Sequence, residues 1–307
     1  MDRLDCYSGE HDGGAGNMNR RGFVAGMAAL LLAGCRDQRR ASVGGKNFTE
    51  QLVLGELLAQ VLESHINIPV ERRFYLAGTY ICQQAILAGR IDTYVEYTGT
   101  ALAAILKQPV KSDSKAVFEI VRNAYQRRFN LAVLPSLGFD NTFAIVMREA
   151  DARAAGITKL SELAARSRQM RLGVGYEFLE RADGFVGLAR SYGLQFAAPP
   201  SVMDLGLLYR ALQAKQVDVV AGSNTDGMIA ALGLRVLRDD KHYFPPYDAV
   251  PIVRLEALQR IEGMQTALEQ LSGRISTSDM RRMNFAVDGE KRDVSDVVHN
   301  FLRSETL

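Results

Sequence analysis

Residues 79–100 read TYICQQAILAGRIDTYVEYTGT, and this stretch contains one complete unit of the fold. Apolar residues at helical spacing predict a helix over residues 79–88, which Gly89 ends. Residues 91–97 then alternate in the manner of a β-strand. A helix that leads through a short turn into a strand is the repeating unit of an α/β fold.

The same alternation continues in both directions along the chain. A helix is predicted to begin at Asn47, a capping residue with Glu50 three positions later, and residues 74–76 are predicted to form a strand. Further strands are predicted at residues 131–134, 143–147, 172–174, 217–221 and 235–237. Further helices are predicted at residues 100–107, 114–129, 161–165, 204–214, 226–232, 255–271 and 294–302. This order predicts an α/β protein with mainly parallel sheets.

Two segments of the chain resemble each other. Residues 85–92, AILAGRID, and residues 211–218, ALQAKQVD, each read as a helix end, a turn and a strand that carries an aspartate. Only three of these eight positions are identical, so chance also explains the match. If the match is real, two similar lobes each offer one loop to a shared cleft, because ligands bind at the carboxyl ends of such strands.

The composition is that of an ordinary globular protein, with 47% hydrophobic and 23% charged residues. It excludes a disordered chain, a collagen-like chain and a disulfide-rich miniprotein. The net charge of +2 lacks the basic excess of a nucleic-acid-binding protein, so no nucleic acid partner is expected. A length of 307 residues allows one large domain or two of ordinary size.

The N-terminal segment has the features of an export signal. Two arginines at positions 20 and 21 precede an apolar run, residues 23–33, that is too short to span a membrane. Together with the small residues that follow, this predicts a secretory signal peptide over residues 1–34, with Met18 as a candidate for the true start. Residues 32–35, LAGC, resemble a bacterial lipobox, which implies acylation of Cys35. The arginine pair also resembles a twin-arginine signal.

This N-terminal signal predicts a lipid-anchored protein of the periplasm or cell envelope. No segment after the signal has 18 uninterrupted apolar residues, so we expect membrane contact only through the anchor.

Motifs of common enzyme sites are missing from the sequence. The four histidines are scattered, with no metal-binding pair or Cys/His cluster, so no metal site is expected. Gly173 and Gly175 follow a predicted strand, but Phe178 stands where a dinucleotide-binding fingerprint needs glycine. Acidic residues are numerous enough for a carboxylate pair, although no spacing selects one. The sequence therefore predicts a protein that is not an enzyme and needs no cofactor.

Eight short motifs follow one another along the chain. They are GKNFTEQ at 45–51, IDTYVEYTGT at 91–100, NTFA at 141–144, EFLERADG at 177–184, MDLGLLYRAL at 203–212, TDG at 225–227, DDK at 239–241 and FPPY at 244–247. In this order they resemble the glycine betaine/carnitine/choline-binding proteins of osmoprotectant ABC importers. The resemblance runs from about residue 43 to the C-terminus.

The resemblance implies a two-lobed periplasmic-binding-protein fold of type II, with the ligand in the interlobe cleft. Lobe one would comprise residues 42–140 plus 247–307, and lobe two residues 141–246. A monomer of this kind binds its ligand by hinge closure and delivers it to a membrane permease, which a separate ATPase powers. A trimethylammonium group donates no hydrogen bonds, so aromatic faces hold it by cation–π attraction. Lys, Arg and Thr hold a betaine carboxylate.

The resemblance also implies site residues. Tyr97 and Tyr247 match tyrosines of the family's aromatic box. Lys46, Thr100 and Arg181 match residues that hold the carboxylate of the ligand.

Two positions depart from the family pattern. After Asn141 and its threonine, Phe143 stands where tyrosine is common, which keeps the ring and loses the hydroxyl. Gly222 stands where an aromatic residue is common, so one wall of the box is expected to be missing and Gly222→Tyr to tighten binding of a trimethylammonium ligand. Tyr209 and Tyr94 are expected in the core, although Tyr94 replaces part of the box if it turns inward.

Two other functions fit the same scaffold. A cleft enzyme would need a nucleophile–base pair, for which the sequence offers no motif. A solute sensor that signals to a membrane partner cannot be separated from a transport receptor by sequence.

Overall fold

The computed structural model describes residues 40–109 and 111–306. The predicted signal peptide, residues 1–34, lies outside the described residues, as do the candidate start at Met18 and the predicted lipidation site at Cys35. In the part of the chain that is described, no helix has both the length and the apolar character that crossing a membrane requires.

Ten strands of the described chain form two sheets of five strands each. The first sheet contains β1 Ala41–Gly44, β2 Val70–Arg73, β3 Thr93–Tyr97, β4 Leu131–Val133 and β10 Ala249–Arg254. The second sheet contains β5 Phe143–Arg148, β6 Leu172–Val174, β7 Ser201–Val202, β8 Val219–Ser223 and β9 Leu234–Val236. We call the parts of the chain around these sheets the first lobe and the second lobe.

Helices occupy most of the connections. Before residue 140 lie α1 Thr49–Ile66, α2 Thr79–Leu87, α3 Thr98–Thr100, which continues as the π-helix Ala101–Ile105, and α4 Ser114–Phe129. Between residues 140 and 247 lie α5 Glu149–Ala155, α6 Leu160–Ala164, α7 Tyr176–Glu180, α8 Phe185–Tyr192, α9 Leu208–Gln213 and α10 Gly227–Ala231, with 3-10 turns at Ser167–Gln169 and Leu205–Leu207. After residue 247 lie α11 Leu255–Arg260, α12 Met264–Glu269, α13 Thr277–Asp288 and α14 Val294–Glu305. The helix predicted over residues 114–129 is confirmed with its bounds.

The two sheets have the same topology. In the first, ordered β2-β1-β3-β10-β4, β1 is parallel to β2 and β3, and β10 is antiparallel to β3 and β4. In the second, ordered β7-β6-β8-β5-β9, β6 is parallel to β7 and β8, and β5 is antiparallel to β8 and β9. The α/β class is confirmed. Four strands of each sheet run in the same direction, as expected, and one strand, β10 or β5, runs in the opposite direction.

The two segments that resemble each other in sequence occupy equivalent places. Residues 85–92 lead from α2 to β3, residues 211–218 lead from α9 to β8, and both strands are third in their sheet. Asp92 and Asp218 each accept a hydrogen bond at 2.9 Å from a backbone N–H in or beside the adjacent parallel strand. The sequence match thus marks two lobes of similar topology.

The connection between β2 and α2 differs from its prediction. Residues 74–76 form no strand in the described chain, because Tyr75 (φ 63°) and Ala77 (φ 51°) have left-handed backbone that a strand does not contain. Left-handed backbone at two non-glycine residues is uncommon and occurs often at functional sites.

Two predicted helix ends are also wrong. α1 begins two residues after Asn47, and its N-cap, Phe48, makes no side-chain hydrogen bond. Glu50 is instead buried and bonded to other segments, as described below. The helix predicted over residues 255–271 is divided into α11 and α12, and Gly263, with φ 81°, precedes α12.

Over its described residues the chain crosses between the lobes twice, and the two crossings lie side by side. Asp140 and Asp248 form an isolated antiparallel bridge, and the N–H of Asn141 donates to the carbonyl oxygen of Tyr247 at 3.0 Å. Both Asn141 and Tyr247 are predicted site residues, so the crossings bring two candidate ligand contacts together.

Candidate ligand-binding site

A cavity of about 1030 Å³ takes its lining from both lobes. Its walls follow the carboxyl ends of β1, β3, β6, β7 and β8, where ligands of α/β sheets bind. All eight ligand-binding residues predicted from the sequence line it: Lys46, Tyr97, Thr100, Asn141, Phe143, Arg181, Gly222 and Tyr247. The structure therefore brings the eight positions together, while their contact with a ligand stays a prediction.

Lys46 is paired with a carboxylate of its own lobe. Its Nζ lies 2.5 Å from Oε1 of Glu96 and 3.0 Å from Oγ1 of Thr79, and both ionised residues are buried. The same Nζ lies 5.0 Å from the ring centroid of Tyr97, within cation–π distance. The positive charge of Lys46 is thus balanced before any ligand enters.

Arg181 is paired in the same way. Its Nε and Nη2 donate to the two oxygens of Asp183 at 2.9 and 2.5 Å, a bidentate arrangement. Its Nη1 donates to Oγ1 of Thr100 at 3.0 Å and so reaches the other lobe. Tyr247 donates its hydroxyl to Asp183 at 2.6 Å. The sequence prediction omitted Asp183, although it stands two residues after Arg181 in one of the family motifs.

The aromatic residues of the site form a cluster around Phe143. Its ring centroid lies 4.8 Å from that of Phe178, 5.5 Å from that of Phe244 and 5.6 Å from that of Tyr247. The guanidinium carbon of Arg181 lies 5.0 Å from the Phe143 centroid and 5.7 Å from the Tyr247 centroid. The guanidinium of Arg181 thus already lies over these two rings. A cationic ligand would have to contact the opposite faces of these rings, or other aromatic rings of the cavity.

Glu50, on α1, is hydrogen-bonded to three other segments: the end of β3, the crossing at Asn141 and α13. Its Oε1 accepts hydrogen bonds from the hydroxyl of Tyr97 at 2.6 Å and from Nδ2 of Asn141 at 2.5 Å. Its Oε2 accepts one from Nδ2 of Asn284, on α13, at 3.1 Å. No ion pair among the described residues involves Glu50, and burial raises its pKa. Its place in the sequence, in the first turn of a helix, gave no sign of this role.

Glu177 connects the lobes from the other side. Its Oε1 accepts a hydrogen bond at 2.5 Å from the backbone N–H of Thr79, the first residue of α2. Gly78 leaves room for this contact, because a Cβ there would lie 2.8 Å from the carboxyl carbon of Glu177. A carboxylate at a helix N-terminus is favourable, so the contact stabilises the approach of the two lobes.

Gly222 leaves no empty wall in the cavity. A Cβ at this position would lie 2.8 Å from Oδ2 of Asp226 and closer still to the hydroxyl of Tyr209. Tyr209 packs in the core as predicted, and it also lines the cavity. Tyr94 does not turn inward, because it is fully buried among core residues and is not part of the cavity wall.

This geometry reverses the expected effect of Gly222→Tyr. The new side chain would displace Tyr209 and break its 2.6 Å hydrogen bond to Asp226, so binding of a trimethylammonium ligand is expected to weaken by about tenfold or more. Calorimetric titration of the folded variant with glycine betaine checks this. Tighter binding by the variant would show that Tyr209 can move aside.

The chain matches a family model and several known proteins. The model of the substrate-binding domain of ABC-type glycine betaine transport systems matches residues 40–304. The ergothioneine transport permease/ergothioneine binding protein EgtU of Helicobacter pylori is 34% identical over 91% of this chain. The chain spans about half the length (50%) of that relative.

Two further similarities cover nearly the whole of each protein compared. The carnitine transport binding protein OpuCC of Listeria monocytogenes is 31% identical over 92% of this chain and 97% of its own length. A crystal structure described as a glycine betaine/carnitine/choline ABC transporter superposes with a TM-score of 0.72 at 31% identity, over 87% of this chain and 98% of that one. These relatives are binding proteins of transporters and not enzymes. The chain therefore belongs to the family of substrate-binding domains of ABC-type glycine betaine transport systems.

Proposed function

We propose that the protein is the extracytoplasmic receptor of an ABC importer and binds a betaine between its two lobes. A betaine joins a quaternary ammonium group to a carboxylate. The lobes would be residues 42–140 plus 247–307 and residues 141–246. The observation that carries the proposal is that aromatic rings, an arginine and a lysine line one cavity between two sheets.

The carboxylate of the ligand would bind at Arg181, Thr100 and Lys46. Arg181 uses one N–H of each terminal nitrogen for Thr100 and Asp183, and each of these nitrogens carries a second N–H. Lys46 has three N–H donors, of which Glu96 and Thr79 accept two. Donors thus remain for the ligand although both charges are already paired.

The names of the relatives narrow the class of ligand. They include ergothioneine, carnitine and glycine betaine binding proteins, and these three compounds are zwitterions with a trimethylammonium group. A cavity of about 1030 Å³ has room for the larger members of this class. We therefore expect zwitterions to bind better than choline, which lacks a carboxylate.

A thermal-shift screen followed by calorimetry tests the proposal. The compounds are glycine betaine, carnitine, ergothioneine, choline, ectoine-like zwitterions and ordinary amino acids. A bound ligand stabilises the protein by about 2.7 kcal/mol at a hundredfold excess over its Kd. At least one betaine is expected to stabilise the protein, and amino acids are not. Folded protein that responds to no quaternary ammonium compound would refute the proposal.

The partner would be a membrane permease with a separate ATPase. The name of the Helicobacter pylori relative combines a transport permease with a binding protein, which supports this pairing. A sensor role is the second candidate, because a chemotactic substrate-binding protein of Halobacterium salinarum is 22% identical over 84% of this chain. The receptor would act as a monomer. Ligand uptake by vesicles that contain a permease and ATPase encoded beside this protein, measured with and without the protein, separates the two functions.

The location would be the periplasm or cell envelope, with a lipid on Cys35. We expect mature protein that begins at Cys35 and partitions into detergent, and Cys35→Ser should abolish lipid attachment. Cys6→Ser is the matched control and should change nothing, since Cys6 precedes the candidate start. Intact mass spectrometry checks both variants. An unmodified Cys35 on a full-length cytoplasmic chain would refute the anchor.

A further inference from the structure

Two tyrosines of the cavity wall each donate their hydroxyl to a carboxylate, which is buried in Glu50 and partly buried in Asp226. Tyr97 donates to Glu50 and Tyr209 donates to Asp226, both at 2.6 Å. All four residues line the same cavity. The two pairs come from different lobes, Tyr97 at the end of β3 and Tyr209 on α9.

The second pair occupies the place of the ring that Gly222 lacks. A Cβ at Gly222 would lie 3.1 Å from Cζ of Tyr209 and 2.8 Å from Oδ2 of Asp226. The backbone N–H of Ser223 also donates to Oδ2 of Asp226 at 2.8 Å, which fixes the carboxylate beside Gly222. A ring from α9 therefore lies directly beside Gly222 of β8.

The distribution of charge in the cavity favours a cation at these pairs. Lys46 and Arg181 are balanced by Glu96 and Asp183 and add no net charge. Neither Glu50 nor Asp226 takes part in an ion pair of the described chain, so no cation of the protein is in direct contact with either carboxylate. Burial, together with the nearby charges of Glu50 and Asp288, raises the pKa of Asp226 to about 6.

A quaternary ammonium group offers the compensation that these groups lack. It donates no hydrogen bonds and is held only by charge and by aromatic faces. A phenol that donates to a carboxylate is polarised, which increases the negative charge on its ring. A Tyr–carboxylate pair is therefore a stronger cation acceptor than a ring alone.

We propose, building on the betaine receptor proposed above, that the pair Tyr209–Asp226 holds the cationic head of the ligand. It would act beside Tyr97, which the family resemblance already implies for the aromatic box, and Tyr209 would supply the ring absent at Gly222. Glu50 and Asp226 act as positioning residues through the tyrosines. The carboxylate of the ligand then points toward Arg181.

A matched pair of ligands tests this assignment. Glycine betaine and tert-butylacetate have the same shape and carboxylate, but a carbon atom replaces the charged nitrogen in the second. In calorimetry, Asp226→Asn is expected to lower the affinity for glycine betaine by about tenfold or more. The affinity for tert-butylacetate is expected to stay the same or to rise. Asp240→Asn is the control, because Asp240 bonds to Ser161 and is not part of the cavity wall.

Variants of Tyr209 keep the test valid if Asp226→Asn does not fold. Tyr209→Phe keeps the ring and removes the hydrogen bond, so we expect a several-fold loss of affinity for glycine betaine and none for tert-butylacetate. Tyr209→Leu removes the ring and should cause a larger loss. Equal weakening of both ligands, or none, in folded variants would overturn the assignment while the betaine receptor stands. Wild-type protein that binds no quaternary ammonium compound would overturn both.

Discussion

Replacement of Arg181 by alanine is expected to abolish measurable betaine binding and to lower the free energy of unfolding by about 3–5 kcal/mol. The stability loss follows from Asp183, which is fully buried and, among the described residues, would keep only the hydroxyl of Tyr247 as a side-chain partner. The binding loss has a separate cause, since the bidentate donor for the ligand carboxylate and the bond to Thr100 of the other lobe both disappear.

A double variant separates the two effects. Arg181→Met with Asp183→Asn removes both charges, so chemical denaturation should show most of the stability restored. Calorimetry should still show no betaine binding, because no guanidinium is present. Recovery of binding together with stability would mean that Arg181 only supports the fold.

Two comparisons test whether Arg181 faces a carboxylate. Lys46→Ala should lower the affinity for a betaine less than Arg181→Ala does, because an ammonium is a point charge whereas a guanidinium can bind two carboxylate oxygens at once. Arg181→Ala should weaken glycine betaine more than choline. If it weakens the two ligands equally, or if choline binds the wild type more tightly than betaines do, the carboxylate assignment is wrong.

The second large effect is expected from Gly227→Val, at the contact between α10 and α13. A Cβ at Gly227 would lie 2.6 Å from the Cα of Phe285 and closer still to its backbone nitrogen. Backbone atoms cannot rotate away as a side chain can, so the two helices must separate. Because α10 follows β8 of the second sheet and α13 lies after the return crossing, this separation opens the cavity between the lobes. Overpacking of this kind costs about 3 kcal/mol, or roughly a hundredfold in affinity.

Calorimetry and small-angle scattering together measure this effect. Gly227→Val should bind betaine roughly a hundredfold more weakly and have a larger radius of gyration in the presence of ligand than wild type. Ala230→Val makes a β-branched change at an exposed position of the same helix and should alter neither quantity. Wild-type affinity in Gly227→Val would show that the contact of α10 with α13 is not needed for closure.

The sequence located the cavity well because its motifs stand at strand ends. Lys46, Tyr97 and Arg181 lie in short segments that follow β1, β3 and β6, and topology brings such segments to one edge. What the motifs could not provide was the partner of each group. Asp183 and Glu96 were known only as acidic residues, and their pairing with the site cations depends on burial and distance.

Residues outside the strand ends were harder to predict. Tyr209 has the helical spacing of a core residue, and only the small size of Gly222 across from it makes it part of the cavity wall. Tyr75 was assigned to a strand because its side chain suits one, whereas its left-handed backbone follows from the loop that surrounds it. β10 was missed because its partners β3 and β4 stand more than 100 residues earlier and Pro251 weakens its strand signal.

The bridge between Asp140 and Asp248 has a consequence for the order of folding. All strands of the second sheet lie between these two residues, so the chain enters and leaves the second lobe at neighbouring points. A growing chain has therefore made the whole second sheet while the first sheet still lacks β10, which joins β3 to β4. Domains fold as units as they emerge from the ribosome. The second lobe can thus fold first, and the first lobe is completed only by the last 60 or so residues of the chain.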